Sequence, residues 1–254
     1  MKKAIFLAGV AAIAVGSTPA YAQSQVTESE AVDNNVIIVT AQRQNQSLQD
    51  VPVAVSAFDS RALEAQQIDN ASDLQLTLPN ATFTAGNFDG ASFTIRGVGD
   101  LCVGDTCDSA TGIHLNGSPL FGTRLFEAEY FDLERIEVLR GPQGTLFGRN
   151  ATSGVVNIVT AKPKLGSFEG AIEGEYGNYD SYKVKGMINI PIGDTLAVRA
   201  AGFYLNRDGY TRNLFDGSRI DGRDIYSVRG SVKWEPTPDT TVEFMASYLR
   251  EEDD

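Results

Sequence analysis

The second half of the chain contains five segments in which apolar and polar residues alternate strictly, and this pattern limits the possible folds more than any other feature. Successive side chains of a β-strand point to opposite faces, so each segment would place its apolar residues on one face. The apolar faces comprise Phe168, Gly170, Ile172, Gly174 and Tyr176; Tyr182, Val184, Gly186, Ile188 and Ile190; Leu196, Val198, Ala200, Gly202 and Tyr204; Tyr226, Val228, Gly230, Val232 and Trp234; and Val242, Phe244, Ala246 and Tyr248. Segments of about 9–11 residues match the length of a tilted membrane-spanning strand.

Two architectures produce such alternation: a soluble β-sandwich with one solvent-exposed face, and a membrane barrel. In all five segments one face is apolar throughout, which favours the barrel. The connections between the segments also favour a barrel, which has short turns at one end and longer loops at the other. Tight turns at 193–194 and 236–239 alternate with a long polar loop at 206–223. Aromatic residues near the strand ends fit an interfacial girdle: Tyr176, Tyr204, Tyr226, Trp234 and Tyr248. We therefore expect residues 164–254 to form the first five strands of an antiparallel transmembrane β-barrel.

The N-terminus has the features of an export signal. Lys2 and Lys3 precede an uncharged run from Ala4 to Val15, and Ala20-Tyr21-Ala22 offers small residues at the positions that a signal peptidase requires. The run is about a dozen residues, too short for the ~20 that a membrane-spanning helix needs. The sequence thus predicts that residues 1–22 are cleaved and that the mature chain is exported.

Residues 23–47 are polar and lack periodic hydrophobic residues, which is typical of a mobile arm. An apolar island interrupts the arm at Val36-Ile37-Ile38-Val39-Thr40. Such a segment of high β-propensity could add a strand to the sheet of another protein. Alternatively, it is an ordinary first strand of the domain that follows.

Residues 48–163 have the composition of a compact α/β domain. We expect a strand at Val51–Val55, a helix capped by Asp59 and Ser60 that runs through Ile68, and a second helix at Asp73–Leu78 capped by Ser72. Further strands are expected at Phe93–Arg96, Ile113–Leu115, Pro119–Phe121 and Val155–Thr160, with a hairpin turn at Asn116-Gly117 and a helix-to-strand passage at Phe131–Leu139.

Composition excludes several classes of function. A net charge of −12 argues against nucleic acid, because phosphates must be neutralised by clustered cations. One histidine and two cysteines cannot build a His/Cys metal cage, and no acidic residues are paired for acid–base catalysis. We expect no enzyme activity, no catalytic residue, no cofactor and no resident metal. Cys102 and Cys107 are separated by four residues in an exported chain, which favours a local disulfide over a reactive thiol.

The most specific signal is the string Glu134–Thr160, which reads ERIEVLRGPQGTLFGRNATSGVVNIVT. It resembles the plug signature of TonB-dependent outer-membrane receptors, and Thr94–Gly99 resembles a second plug motif. Val36–Thr40 then resembles the TonB box, the segment by which these receptors bind the periplasmic protein TonB. This resemblance favours the strand-donating interpretation of the island.

The resemblance also implies roles for single residues. In the family, arginines at these motifs pair with carboxylates of the barrel wall and lock the plug in place, which would be the role of Arg96 and Arg140. Their partners would lie beyond residue 254. Glycines would permit the tight turns and close backbone approaches of the signature: Gly97, Gly99, Gly141, Gly144, Gly148 and Gly154.

The resemblance also implies a function for the chain. The chain would serve TonB-dependent transport across the outer membrane, with a ferric siderophore as the usual ligand and cobalamin, haem or oligosaccharides as alternatives. Loops at 83–93 and 101–110 would contact the ligand. The rival is an exported plug-like binding or signalling module without transport; a passive porin fits less well. Family barrels have about 22 strands and five are found here, so we also expect a truncated chain.

Overall fold

The computed structural model describes residues 37–40, 43–85, 91–99, 109–120 and 129–253. The predicted signal peptide and most of the predicted arm lie outside these ranges. Within them, no helix is both long and apolar enough to cross a membrane.

The first group of elements surrounds a mixed five-stranded sheet. In chain order the elements are β1 (Ile38–Val39), β2 (Gln46–Ser47), β3 (Ala54–Asp59), α1 (Ser60–Ala65), α2 (Ala71–Thr77), β4 (Ala81–Ala85), β5 (Ala91–Ile95), β6 (Thr111–Leu115), β7 (Ser118–Pro119), β8 (Leu133–Arg140), α3 (Gly144–Phe147) and β9 (Gly154–Thr160). The sheet order is β3-β8-β9-β6-β7, with β1-β2 and β4-β5 as separate pairs. The pair β6–β9 is parallel and the other pairs of the sheet are antiparallel. Elements β3 to β9 are called the plug below.

Helix α1 begins as expected, at an Asp59 N-cap. The Asp59 side chain accepts a hydrogen bond of 2.8 Å from the backbone N–H of Ala62, which satisfies one of the free donors at a helix start. The helix ends at Ala65 and does not reach Ile68. Gln67 has a left-handed φ of 52°, which is incompatible with continuing the helix.

Helix α2 is capped by a different residue from the one expected. The side chain of Asn70 accepts the backbone N–H of Asp73 at 3.1 Å, so Asn70 is the N-cap and Ser72 lies inside the helix. The prediction of Ser72 as the cap was therefore wrong. Asn70 has extended backbone angles (φ −155°, ψ 179°), so the helix begins at the next residue, Ala71.

The expected helix-to-strand passage at Phe131–Leu139 is also wrong, because Leu133–Arg140 is a strand over its whole length. Strand β8 is paired on both edges and buried through its centre, so ladder hydrogen bonds and apolar burial outweigh the local helix preference of its Glu and Arg residues. The strand expected at Val51–Val55 is displaced to Ala54–Asp59. Pro52 has no N–H to donate to a ladder, which is consistent with its place before the strand.

The predicted hairpin between β6 and β7 is confirmed. Asn116 and Gly117 have φ values of 51° and 78°, as a two-residue turn with both central residues left-handed requires. The backbone N–H of Gly117 also donates to the Asn157 side chain at 3.0 Å. The turn is thereby fixed to the central strand β9.

The second group is an antiparallel sheet whose strands follow in chain order. They are β10 (Glu169–Gly177), β11 (Ser181–Ile192), β12 (Leu196–Arg207), β15 (Arg223–Thr237) and β16 (Thr240–Asp253). A small pair, β13 (Thr211–Arg212) and β14 (Arg219–Ile220), lies in the long polar connection. All five predicted strands are confirmed, and four are longer than expected at 12 to 15 residues. These five are called the wall strands.

The wall strands expose their apolar face and cover their polar face, which is the reverse of a soluble protein. The apolar face is exposed, with Ile172 at 84% and Phe244 at 66% relative accessibility. The opposite face covers the plug, and on it Arg199 and Phe203 are buried at 5% and 4%. A soluble sandwich would bury its apolar face. An outward apolar face with a polar interior is the arrangement of a membrane barrel wall.

Candidate functional site

The apolar island is docked on the plug as a short strand. Ile38 and Val39 pair with Ser47 and Gln46 in the β1–β2 ladder, and the carbonyl of Ile37 accepts the N–H of Leu48 at 2.9 Å. Residues 36–40 are called the box segment; Val36 itself lies outside the described residues. The segment pairs with β2 outside the five-stranded sheet and packs against the plug.

The side chain of Val39 is fully buried in an apolar cluster beside the plug signature. Its neighbours in this cluster include Leu139, Phe147, Ala151 and Val155. Burying a valine side chain contributes about 1.5–3 kcal/mol. The box segment is therefore held partly by the same residues that form the signature turn.

A buried carboxylate binds the end of the box segment. The backbone N–H of Thr40 donates to Oε1 of Glu137 at 2.8 Å, and the Thr40 hydroxyl lies 2.9 Å from Oε2. Arg135 Nε donates to the same carboxylate at 2.7 Å and Asn157 Nδ2 at 3.2 Å. Sequence reasoning missed Glu137. The available signal was the Arg-x-Glu spacing, which places both side chains on one face of a strand.

The glycines of the signature have unequal roles. Gly141 has a φ of 111°, and a Cβ on Gly154 would lie 2.2 Å from the carbonyl oxygen of Leu139, so no side chain fits there. Gly97 and Gly148 also have positive φ, and a Cβ on Gly99 would overlap the Thr94 side chain. Gly144, by contrast, begins α3, and a Cβ there would meet no atom within 4 Å.

Arg96, one of the two arginines expected to lock the plug, lies near the residue that follows the other one. Arg96 has a left-handed φ of 56°, and its Nη1 lies 3.7 Å from the position of a Cβ on Gly141, the residue that follows Arg140. The Nε of Arg140 is buried without a hydrogen-bond partner. Neither arginine forms an ion pair within the described part of the chain, and the locking role stays a prediction. Cys102 and Cys107 lie outside the described residues.

The plug contacts the wall strands through a buried cluster that the sequence did not reveal. Asp132, just before β8, accepts two bonds from Arg199 of β12, from Nε at 2.9 Å and from Nη2 at 2.5 Å. Arg229 of β15 donates to the backbone oxygens of Phe131 and Asp132 at 2.9 and 2.7 Å and stacks over the Phe131 ring. We call this cluster the aspartate anchor.

A second contact uses lysines. Lys183 and Lys185 of β11 bind Asp69 at 3.0 and 2.5 Å, and Lys183 also reaches Glu129 at 3.3 Å. Burial alone would raise the pKa of Asp69, but the hydrogen bonds from the two lysines lower it. The pKa of Glu129 is raised, because burial outweighs the attraction of Lys183. We call this cluster the lysine contact.

A cleft of about 780 Å³ lies between α1 and β8 on one side and strands β10 to β12 on the other. Its lining mixes both signs of charge, with Glu169, Glu173, Lys164 and Arg199 among the residues. No group of three or more potential metal ligands occurs among the described residues.

Comparison with known proteins agrees with this geometry. Residues 47–155 match the family model described as the TonB-dependent Receptor Plug Domain. The iron-regulated outer membrane virulence protein of Vibrio cholerae serotype O1 is 26% identical over 201 residues, covering 76% of this chain and 30% of that protein. The pesticin receptor of Yersinia pestis is 38% identical over 107 residues, covering 42% of this chain and 16% of that receptor.

Solved structures show the same arrangement. The ferric yersiniabactin uptake receptor FyuA from Yersinia pestis aligns with a TM-score of 0.68 at 28% identity, over 77% of this chain and 31% of that receptor. The pyoverdine receptor FpvA of Pseudomonas aeruginosa aligns with a TM-score of 0.70 at 18% identity, over 84% of this chain and 27% of FpvA, and so supports the fold alone.

Residues 47–155 match the plug domain of TonB-dependent receptors, and the relatives of this chain include receptors of this kind. The family consists of transport receptors, and relatives of this chain are outer-membrane proteins. The predicted fold class, a plug followed by antiparallel barrel strands, is confirmed. The chain spans about a third or less of the length of the relatives it matches.

Proposed function

We propose that this chain is the N-terminal part of a receptor that imports a ferric siderophore across the outer membrane with energy supplied through TonB. The observation that carries the proposal is a plug attached by ion pairs to the polar face of strands whose opposite face is apolar and exposed. Such a plug would close a pore until it is moved. Two relatives are named for iron-linked roles, an iron-regulated virulence protein and a ferric yersiniabactin uptake receptor.

The arm and the plug would face the periplasm after cleavage at Ala22, and the apolar face of the wall strands would contact outer-membrane lipid. TonB would add the box segment Val36–Thr40 to its own sheet. In that mode of recognition main-chain hydrogen bonds supply the affinity, so backbone geometry should matter more than side-chain identity. The proton gradient of the inner membrane would provide the energy, and this chain would need no nucleotide or cofactor.

The siderophore would bind from outside at the plug segments 83–93 and 101–110. The first of these includes the paired ends of β4 and β5, and residues 86–90 and 101–108 lie outside the described residues. A ferric chelate is favoured over haem because no haem-ligating cluster is evident in the composition. The rival proposal is a plug-based binding or signalling module that does not transport.

The test is uptake of ⁵⁵Fe-labelled siderophores by cells in which the intact gene carries Ile38→Pro. Proline removes the N–H and blocks strand addition, so uptake should fall to the level of a gene deletion. The control Ile38→Val keeps β-propensity and should transport normally. Siderophore binding without gene-dependent uptake would favour the binding module. Uptake that persists in Ile38→Pro would refute coupling through the box segment.

A further inference from the structure

We propose that Glu137 is a positioning residue that holds the box segment on the plug and so restricts its access to TonB. This inference rests on the proposed function of the box segment. Two of the four groups that donate to the Glu137 carboxylate come from Thr40, the last residue of the segment. A carboxylate as deeply buried as this one is unfavourable without donors around it. The docked segment therefore supplies two of the four donors around this carboxylate.

The ladder between β1 and β2 is too short to hold the segment alone. It has two residue pairs, Ile38–Ser47 and Val39–Gln46. A two-stranded ribbon of this size is unstable in isolation. The hold must come from contacts with the plug, which are the burial of Val39 and the bonds from Thr40 to Glu137.

The contact is built to be reversible. When Thr40 leaves, the carboxylate keeps the bonds from Arg135 Nε at 2.7 Å and Asn157 Nδ2 at 3.2 Å. The negative charge of Glu137 then remains paired with the guanidinium of Arg135. Release costs the Thr40 hydrogen bonds and exposes Val39, but it leaves no unpaired charge in the plug.

Docking and TonB binding compete for the same backbone. Strand addition needs free N–H and C=O groups along the box segment. In the docked segment, one edge of the strand pairs with β2, and the carbonyl of Ile37 accepts the N–H of Leu48. On the other edge, the N–H of Thr40 donates to Glu137. If only a fraction of the molecules have a released box segment, the apparent affinity for TonB is reduced by that fraction. Weakening the hold of Glu137 should therefore strengthen TonB binding.

The experiment titrates the TonB C-terminal domain into the full chain in detergent micelles and into a synthetic peptide of residues 34–43. The readout is the ratio of the Kd for the chain to the Kd for the peptide. Glu137→Gln should lower this ratio about tenfold, the effect of one charge-assisted hydrogen bond. Thr40→Val, introduced in both chain and peptide, should lower it to a similar extent. Thr40→Ser keeps the hydroxyl and should restore the wild-type ratio.

Matched controls are Glu173→Gln and Thr82→Val, at exposed positions away from the box segment. If Glu137→Gln fails to fold, Thr40→Val still tests the proposal, because it leaves the plug sheet unchanged. A peptide that does not bind TonB would overturn the box assignment and with it the proposed coupling. A peptide that binds, together with unchanged ratios in both variants, would overturn the role of Glu137 alone.

Discussion

The plug is attached to the wall strands at two places that differ in burial and in the cation used. At the aspartate anchor, Arg199 forks onto a carboxylate that is only 7% exposed, and Arg229 binds the adjacent backbone. At the lysine contact, Lys183 and Lys185 share Asp69, which is 37% exposed. A rigid guanidinium fork on a buried carboxylate has a fixed geometry. Asp69 is open to water although Lys183 and Lys185 are only 11% and 15% exposed, so its ion pairs are more strongly screened. We therefore expect the aspartate anchor to be the stronger and less salt-sensitive of the two attachments.

The largest effect is expected from Asp132→Asn. Asp132 has a left-handed φ of 50°, which asparagine also tolerates, so the substitution removes the charge without backbone strain. It leaves the buried Arg199 with one weaker partner, Glu169, whose Oε2 lies 3.6 Å from Nη1. The free energy of unfolding should therefore fall by about 3 kcal/mol, the lower end of the loss seen when a buried ion pair is broken. Guanidinium unfolding of the chain in detergent micelles measures this. Asp239→Asn, in the exposed turn before β16, is the control and should change little. A loss no larger than in this control would mean that the anchor is not structural.

A smaller effect is expected from Asp69→Asn at the lysine contact. Both lysines are left without their shared partner, but water reaches the site, so the loss should be at most about 1 kcal/mol. The same unfolding measurement, repeated at low and high salt, tests the comparison. Raising the salt concentration should shrink the effect of Asp69→Asn and leave that of Asp132→Asn nearly unchanged. Equal salt dependence at both sites would remove the distinction between them.

The smallest expected effect is a pH dependence of the free energy of unfolding, to which Glu129 and Asp69 contribute in opposite directions. The raised pKa of Glu129 means that the folded state binds its proton more tightly, so this stabilisation is complete below about pH 4.5 and is lost as the pH rises through the folded pKa. The lowered pKa of Asp69 acts oppositely, because its contribution is present above about pH 3.8 and is lost as the pH falls through the folded value.

Unfolding free energies of the wild type, Glu129→Gln and Asp69→Asn from pH 3 to pH 8 separate the two parts. Glu129→Gln should remove the decline of stability above pH 4.5, and Asp69→Asn the decline below pH 3.8. Identical profiles for all three proteins would contradict the electrostatic account of the lysine contact.

Much of the fold follows from local patterns. Strict alternation predicts the five wall strands, the Asn116-Gly117 pair predicts a hairpin, and Asp59 predicts a helix start, because each pattern is a local response of the backbone. The stretch at 131–139 was mispredicted, since its neighbours in the sheet, distant in sequence, decide its conformation.

The contacts that hold the site together have no comparable local signature. Asp132 and Arg199 are 67 positions apart, and Thr40 and Glu137 are 97 apart. Their alignment depends on how the plug sits against the wall strands and on where the box segment docks. Resemblance identified the plug signature and suggested the box segment, but sequence reasoning could not identify the carboxylates that contact them.

The position of β3 has a mechanical consequence. It is the first plug strand after the box segment, and it lies at the edge of the sheet, where it pairs with β8 alone from Ala54–Arg140 to Asp59–Arg135. Once the box segment and the β1–β2 pair have been released, tension applied at the N-terminus would reach the Ala54 end of β3 first and would separate this ladder one residue pair at a time. Strand β8 is paired on both edges and begins at the aspartate anchor, so it resists. Pulling would therefore unravel one margin of the plug while its centre stays fixed to the wall.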